Sequence, residues 1–163
     1  MNNDIEKNDI EKNDEYYMSI AIDEAKKAFA IGEVPVGAVI VCEGEIVSTA
    51  FNTRETGKNA LHHAEIKAIN SACEQLHGWR LHKCDLYVTL EPCPMCAGAI
   101  VNARIKKVIY GAYDKKAGAF GSVFDINEMK LNHKPEVLAG VMEEECSALL
   151  SDFFSNLRKK KSE

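Results

Sequence analysis

No run in this chain approaches the ~20 consecutive apolar residues needed to cross a bilayer. Its start also lacks the basic segment followed by an apolar stretch that directs export. A soluble cytoplasmic protein with no membrane partner is therefore expected. Proline is scarce: there are four, and two of them fall within Pro92-Cys93-Pro94. No Pro-, Gly- or Ser-rich linker divides the 163 residues, a length that suits one domain. Positive charge is lacking too. The formal net charge is −5, which taken whole argues against a nucleic-acid partner. Most of that deficit sits at the N-terminus, where Asn-Asp-Ile-Glu-Lys occurs twice and residues 1–15 carry six acids against two lysines. Beyond them the charge is nearly balanced, with basic clusters at Arg104-Lys106-Lys107, Lys115-Lys116 and Arg158 to Lys161. Local patches, not the total, attract phosphates. The repeat itself is polar, low in complexity and has little to bury, so residues 1–15 are expected as a disordered tail ahead of a domain at 16–163.

Cysteine, by contrast, is present six times. In a small secreted chain that number suggests a disulfide framework; without an export signal, metal-binding or free thiols fit better. Cys42, Cys73, Cys84 and Cys146 stand in apolar contexts and are expected to be buried thiols. Cys93 and Cys96 are different, because they share a short motif with two prolines.

Periodicity outlines the rest. Met18, Ala21, Ile22, Ala25, Ala28 and Phe29 recur at spacings of three and four up to Gly32, as a helix does. Val34–Cys42 and Glu45–Phe51 flank Glu43-Gly44 and read as a β-hairpin. A polar loop over 52–62 precedes a helix from His63 to about His77. A strand over Asp85–Leu90 runs straight into Pro92, and a second helix spans Pro94 to about Asn102. Further strands are expected at Lys107–Ala112 and near Glu136–Val141, separated by a glycine-containing loop and a short turn. The last helix, from about Glu143 to Lys159, carries Cys146, Leu149, Leu150, Phe153 and Leu157 on one stripe. Helices alternating with strands imply an α/β fold, a three-layer α/β/α sandwich.

Two short motifs carry chemistry. Pro92 and Pro94 suit a helix entrance, where a missing N–H costs little. Cys93 and Cys96 then lie one turn apart on one side, where unpaired N–H groups favour thiolates. His63-Ala64-Glu65 adds an imidazole and a carboxylate. One His and two Cys make three Zn²⁺ ligands and leave a fourth position open, the mark of a catalytic rather than a structural site. Glu65 is then the natural proton carrier. His62 is the alternative imidazole. A redox dithiol also fits Cys-x-x-Cys but leaves His63 and Glu65 without a part. A closed structural site would need His62, His77, His82 or His133 as a fourth ligand. The H-x-E…P-C-x-x-C arrangement is the known signature of zinc-dependent nucleobase deaminases.

The resemblance extends well past that signature. Glu33-Val-Pro-Val-Gly-Ala-Val39, Asn52, His63-Ala-Glu65, Tyr87-Val-Thr-Leu-Glu-Pro-Cys93, Met95-Cys-Ala-Gly-Ala99, Gly111-Ala-Tyr-Asp114, Gly118-Ala-Phe-Gly-Ser122, Leu131-Asn-His133 and Cys146 to Phe154 are similar to the bacterial tRNA-specific adenosine deaminases of the cytidine deaminase superfamily. The resemblance covers roughly residues 16–158. It implies a cytidine deaminase-like five-stranded mixed sheet and a homodimer. The implied reaction is hydrolysis of the anticodon wobble adenosine of tRNA to inosine, with release of ammonia. It also implies one Zn²⁺ per subunit on His63, Cys93 and Cys96, with Glu65 catalytic. Asn52 would hydrogen-bond the purine, and Val34, Val36 and Leu90 would line the base pocket. Asp114, Lys116, Asn132, His133 and Phe154 would lie along the anticodon loop, where aromatics stack on bases and cations meet phosphates. A deaminase of a free base or nucleoside, of guanine or cytosine type, would share the zinc and Glu65 but need no RNA-binding rim. The chain departs from the usual pattern at His62, at Ala117, and at Phe120, which adds an aromatic expected in the substrate rim.

Overall fold

The computed structural model describes the backbone of residues 2–162 and the side chains of 14–162. The elements run α1 (Asn2–Ala30), β1 (Gly37–Cys42), β2 (Glu45–Phe51), α2 (Ala64–Leu76), β3 (Cys84–Leu90), α3 (Pro94–Asn102), β4 (Lys107–Ala112), a 3-10 turn at Ile126–Glu128, β5 (Glu136–Ala139) and α4 (Glu143–Lys161). The tail expected over residues 1–15 lies, as far as residue 13, outside the described side chains. Asp14 is buried and accepts a 2.6 Å hydrogen bond from Tyr87 Oη, so the packed domain includes it. Among the described residues no helix is long and apolar enough to cross a membrane.

The five strands form one mixed sheet in the order β2-β1-β3-β4-β5. β1 is antiparallel to both neighbours, whereas β3, β4 and β5 are parallel. Alternation along each strand divides the core in two. Ala38 and Ile40 of β1, Leu86 and Val88 of β3, and Val108 and Tyr110 of β4 meet α2 and α3. Val39, Val41, Tyr87 and Ile109 face the other way, onto α1 and Cys146 of α4. The result is the three-layer sandwich that the alternating pattern implies.

α1 lies directly on the β1 backbone at Gly37, where a Cβ would overlap the Ala21 carbonyl oxygen and the Ala25 nitrogen. Overpacking against main chain cannot be relieved by a rotamer change. Gly37→Ala is therefore expected to cost about 3 kcal/mol, or roughly 10 °C in Tm, which thermal unfolding monitored by circular dichroism would measure.

Three packing expectations need correction. Cys84 and Cys146 are buried thiols, but Cys42 and Cys73 are only half-buried. The α4 stripe buries Cys146 and Phe153, whereas Leu157 is exposed among the described residues. Phe120 is buried in the core instead of standing in a rim.

Candidate active site

The parallel strands and the two helices beneath them build the site. β3 ends at Leu90, and the chain turns through Glu91 and Pro92 into α3, with Cys93 as its N-cap and Pro94 in its first turn. α2 begins beside it with His63 as its own N-cap. Two helix N-termini thus converge at the carboxyl end of the sheet, the usual place for a ligand crevice in α/β folds. There His63 Nδ1 lies 3.6 Å from Cys93 Sγ and 3.5 Å from Cys96 Sγ. Among the described residues these three form the one group of His, Cys, Asp and Glu donor atoms clustered within 4.8 Å. Among the described residues no fourth side chain closes the group, and the imidazole is that of His63. His62 packs instead on Gly57, where a Cβ would sit 2.7 Å from its Nδ1.

The electrostatics match the packing. The Cys93 thiol is drawn down to about 4, first by its hydrogen bond with Cys96 Sγ, then by His63 and the Cys96 main-chain N–H, against the effect of burial. Cys96 is pushed up by the same sulfur pairing and by burial. The His63 ring is raised by its bond to Cys93, with the Glu65 charge adding to that and burial opposing it. Glu65 is 4% exposed, and burial raises its carboxyl, partly offset by its own main-chain N–H and by His63.

The donor set fits Zn²⁺. With Zn–S near 2.3 Å and Zn–N near 2.0–2.1 Å, a tetrahedral site has an S···N edge of roughly 3.6 Å. The observed separations of 3.5 and 3.6 Å match that edge.

Above this corner opens a cleft of about 680 Å³, within the size range of small-molecule sites. Val34, Val36, Asn52, His63, Glu65, Leu90, Cys93, Asp114, Lys116 and Phe154 all line it. Asn52 is fixed there: its Nδ2 donates to the Val34 carbonyl at 3.1 Å and its Oδ1 accepts from Arg54 N at 3.1 Å. An amide so held keeps one N–H and one lone pair for a ligand.

A model of the MafB19-like deaminase family matches residues 12–158. The chain is 54% identical over 149 residues to the tRNA-specific adenosine deaminase of Bacillus subtilis (strain 168), covering 91% of this chain and 92% of that protein. It is 52% identical over 145 residues to the tRNA-specific adenosine deaminase of Aquifex aeolicus (strain VF5), covering 88% and 95%. A solved structure from work on A-to-I editing by tRNA:A34 deaminases at the wobble position of transfer RNA superposes with a TM-score of 0.80 at 43% identity, over 83% of this chain and 99% of that one. The chain belongs to the tRNA-specific adenosine deaminase family.

Two of the residues expected along the anticodon loop stand outside the cleft. Asn132 is exposed and His133 is tied to the Ile105 carbonyl at 2.6 Å, and neither lines the cleft of this chain. Phe154 does line it: Phe153 takes the core position against Phe29 and leaves its neighbour, packed on it edge-on at 5.4 Å, at the deaminase cleft. The sequence reading missed Arg54, Tyr113, Lys115 and Leu150, which also line the cleft. The basic pair Lys115-Lys116 was a visible signal; Arg54 lay in a polar loop with nothing local to single it out. Two buried carboxylates shape the rim. Glu33, 1% exposed, accepts from the main-chain N–H groups of Glu55 and Thr56 and so positions the loop bearing Arg54. Glu91 does the same for the loop at 114–122.

Proposed function

We propose that this chain converts the wobble adenosine of a tRNA anticodon to inosine, releasing ammonia. The observation that carries the reading is the cleft itself, which joins a His/Cys/Cys corner and a buried carboxylate to a rim bearing Arg54, Lys115, Lys116, Tyr113 and Phe154. His63, Cys93 and Cys96 would hold one Zn²⁺ per subunit, and when bound it supplies an acidified water near neutral pH.

The chain's own residues do the rest. Glu65, with its raised carboxyl, takes one proton from the water and gives it to the ring nitrogen as the oxygen adds to the amino-bearing carbon. It then carries the second proton from that oxygen to the amine, which leaves as ammonia when the C–N bond breaks. Asn52 offers its remaining N–H and lone pair to the purine edge. Val34, Val36 and Leu90 form the apolar wall against which the base lies. Phe154 and Tyr113 offer faces for stacking, while Lys115, Lys116 and Arg54 suit phosphates. Asp114 shapes its loop by accepting from the N–H groups of Lys116 and Ala117 at 3.0 and 3.1 Å. Asn132 and His133 take part only where RNA extends beyond the cleft. The homodimer and the cytoplasmic location implied by the resemblance belong to the same proposal.

The aromatic and basic rim distinguishes RNA from a free nucleoside. Incubation with an arginine tRNA carrying A34 is expected to yield inosine at position 34 by nucleoside mass analysis, while free adenosine stays nearly inert. Conversion of the free nucleoside but not the tRNA would refute the reading.

A further inference from the structure

Glu91 adjoins the metal-binding turn yet has no part in the reaction above. We propose that Glu91 is a positioning residue whose carboxylate clamps the 114–122 loop in the form that receives RNA, so that it governs RNA binding and not the hydrolytic step. The proposal rests on the tRNA reading and deepens it.

The side chain is 2% exposed, and among the described residues no cation pairs with it. A buried carboxylate must then find its compensation in hydrogen bonds. All four of its donors come from one loop. Oε1 accepts from Asp114 N at 3.1 Å and from Ser122 Oγ. Oε2 accepts from Phe120 N at 3.1 Å and Ser122 N at 3.2 Å. The donors stand at both ends of the loop, so one carboxylate closes it like a clasp. Gly118 lies flat on that carboxylate, where any Cβ would overlap it. The Ala119 N–H also donates to the Pro92 carbonyl at 2.9 Å, which ties the loop to the turn that carries Cys93. On its outer side the same loop presents Asp114, Lys115 and Lys116 to the cleft.

Glutamine in this place keeps the shape but sets an NH₂ donor against N–H donors. The loop then loses its single conformation and must be ordered by the RNA itself, which lowers affinity. A residue clamping only the binding rim should shift KM; general destabilisation would lower the active fraction, and hence kcat, at unchanged KM.

Zinc-loaded wild type and Glu91→Gln would be compared with the A34 tRNA in steady state. The expected result is a KM raised about tenfold or more with kcat within about threefold and the zinc content of wild type. Ser122→Ala, which removes one donor and leaves the carboxylate, is expected to raise KM by about threefold. An unchanged KM for Glu91→Gln, or a fall confined to kcat, overturns the proposal. If Glu91→Gln does not fold, an unchanged KM for Ser122→Ala overturns it alone. The two readings fail separately: a wild type that leaves A34 intact refutes the tRNA function, whereas an active wild type matched by both variants refutes only the clamp.

Discussion

Glu65→Ala is expected to lower the deamination rate of the A34 tRNA by about 10³-fold, while the zinc content stays at that of wild type. The side chain is not a ligand in the His63, Cys93 and Cys96 group, so its loss leaves the metal corner whole. It is buried beside that corner, at the start of α2, and burial raises its carboxyl above the ordinary glutamate range, the direction that suits a proton carrier. Single-turnover kinetics on the zinc-loaded variant would measure the loss; a rate within tenfold of wild type would remove Glu65 from the mechanism. The same burial has a stability consequence. A carboxyl raised in the folded state binds its proton more tightly there than in the unfolded chain. Its contribution to stability is therefore lost as pH rises from the ordinary glutamate range through the raised value. At neutral pH, in chelator-treated protein, the isosteric Glu65→Gln should unfold at or above the wild-type temperature. A position that costs stability where a neutral amide would not is held for chemistry.

Cys93→Ala is expected to abolish zinc retention and, with it, all turnover. With Cys93 drawn down to about 4, a thiolate is ready at neutral pH, and it is the N-cap that faces both His63 and Cys96. Removing it leaves one imidazole and one thiol, too few for a tetrahedral site with three protein ligands. Elemental analysis after dialysis should find wild type and Cys73→Ala loaded and Cys93→Ala empty. Cys73 is a fair control because it is half-buried in α2 and outside the ligand group. A fully loaded Cys93→Ala would mean that the metal sits elsewhere.

Much of this architecture was legible because its causes are local. The unbroken apolar run through Ala38, Val39, Ile40 and Val41 reads as a strand, and the structure places its alternate residues in two separate cores. Pro92-Cys93-Pro94 announces a helix start, and α3 begins at Pro94. The residues that went astray are those whose side is chosen by a distant partner. Phe120 stands among small residues and reads as a rim aromatic, but Glu91 pins its N–H and the ring turns into the core. Phe153, by contrast, packs against Phe29 of α1 as its place on the α4 stripe implies, and Phe154 lines the cleft. His133 has one ring nitrogen at the Ile105 carbonyl, 28 residues away, and stands outside the cleft.

By itself the sequence determined the layers, the His/Cys/Cys set that could hold a metal and the carboxylate proposed as its proton carrier, because helix and strand periods and ligand spacings act over a few residues. The tertiary structure settled the choice between His63 and the alternative His62 in favour of the first. It also decided which aromatics line the cleft, and that two buried glutamates hold the rim loops in place. Those outcomes depend on contacts between segments far apart in the chain, where burial and hydrogen bonding, not spacing, choose the direction of each side chain.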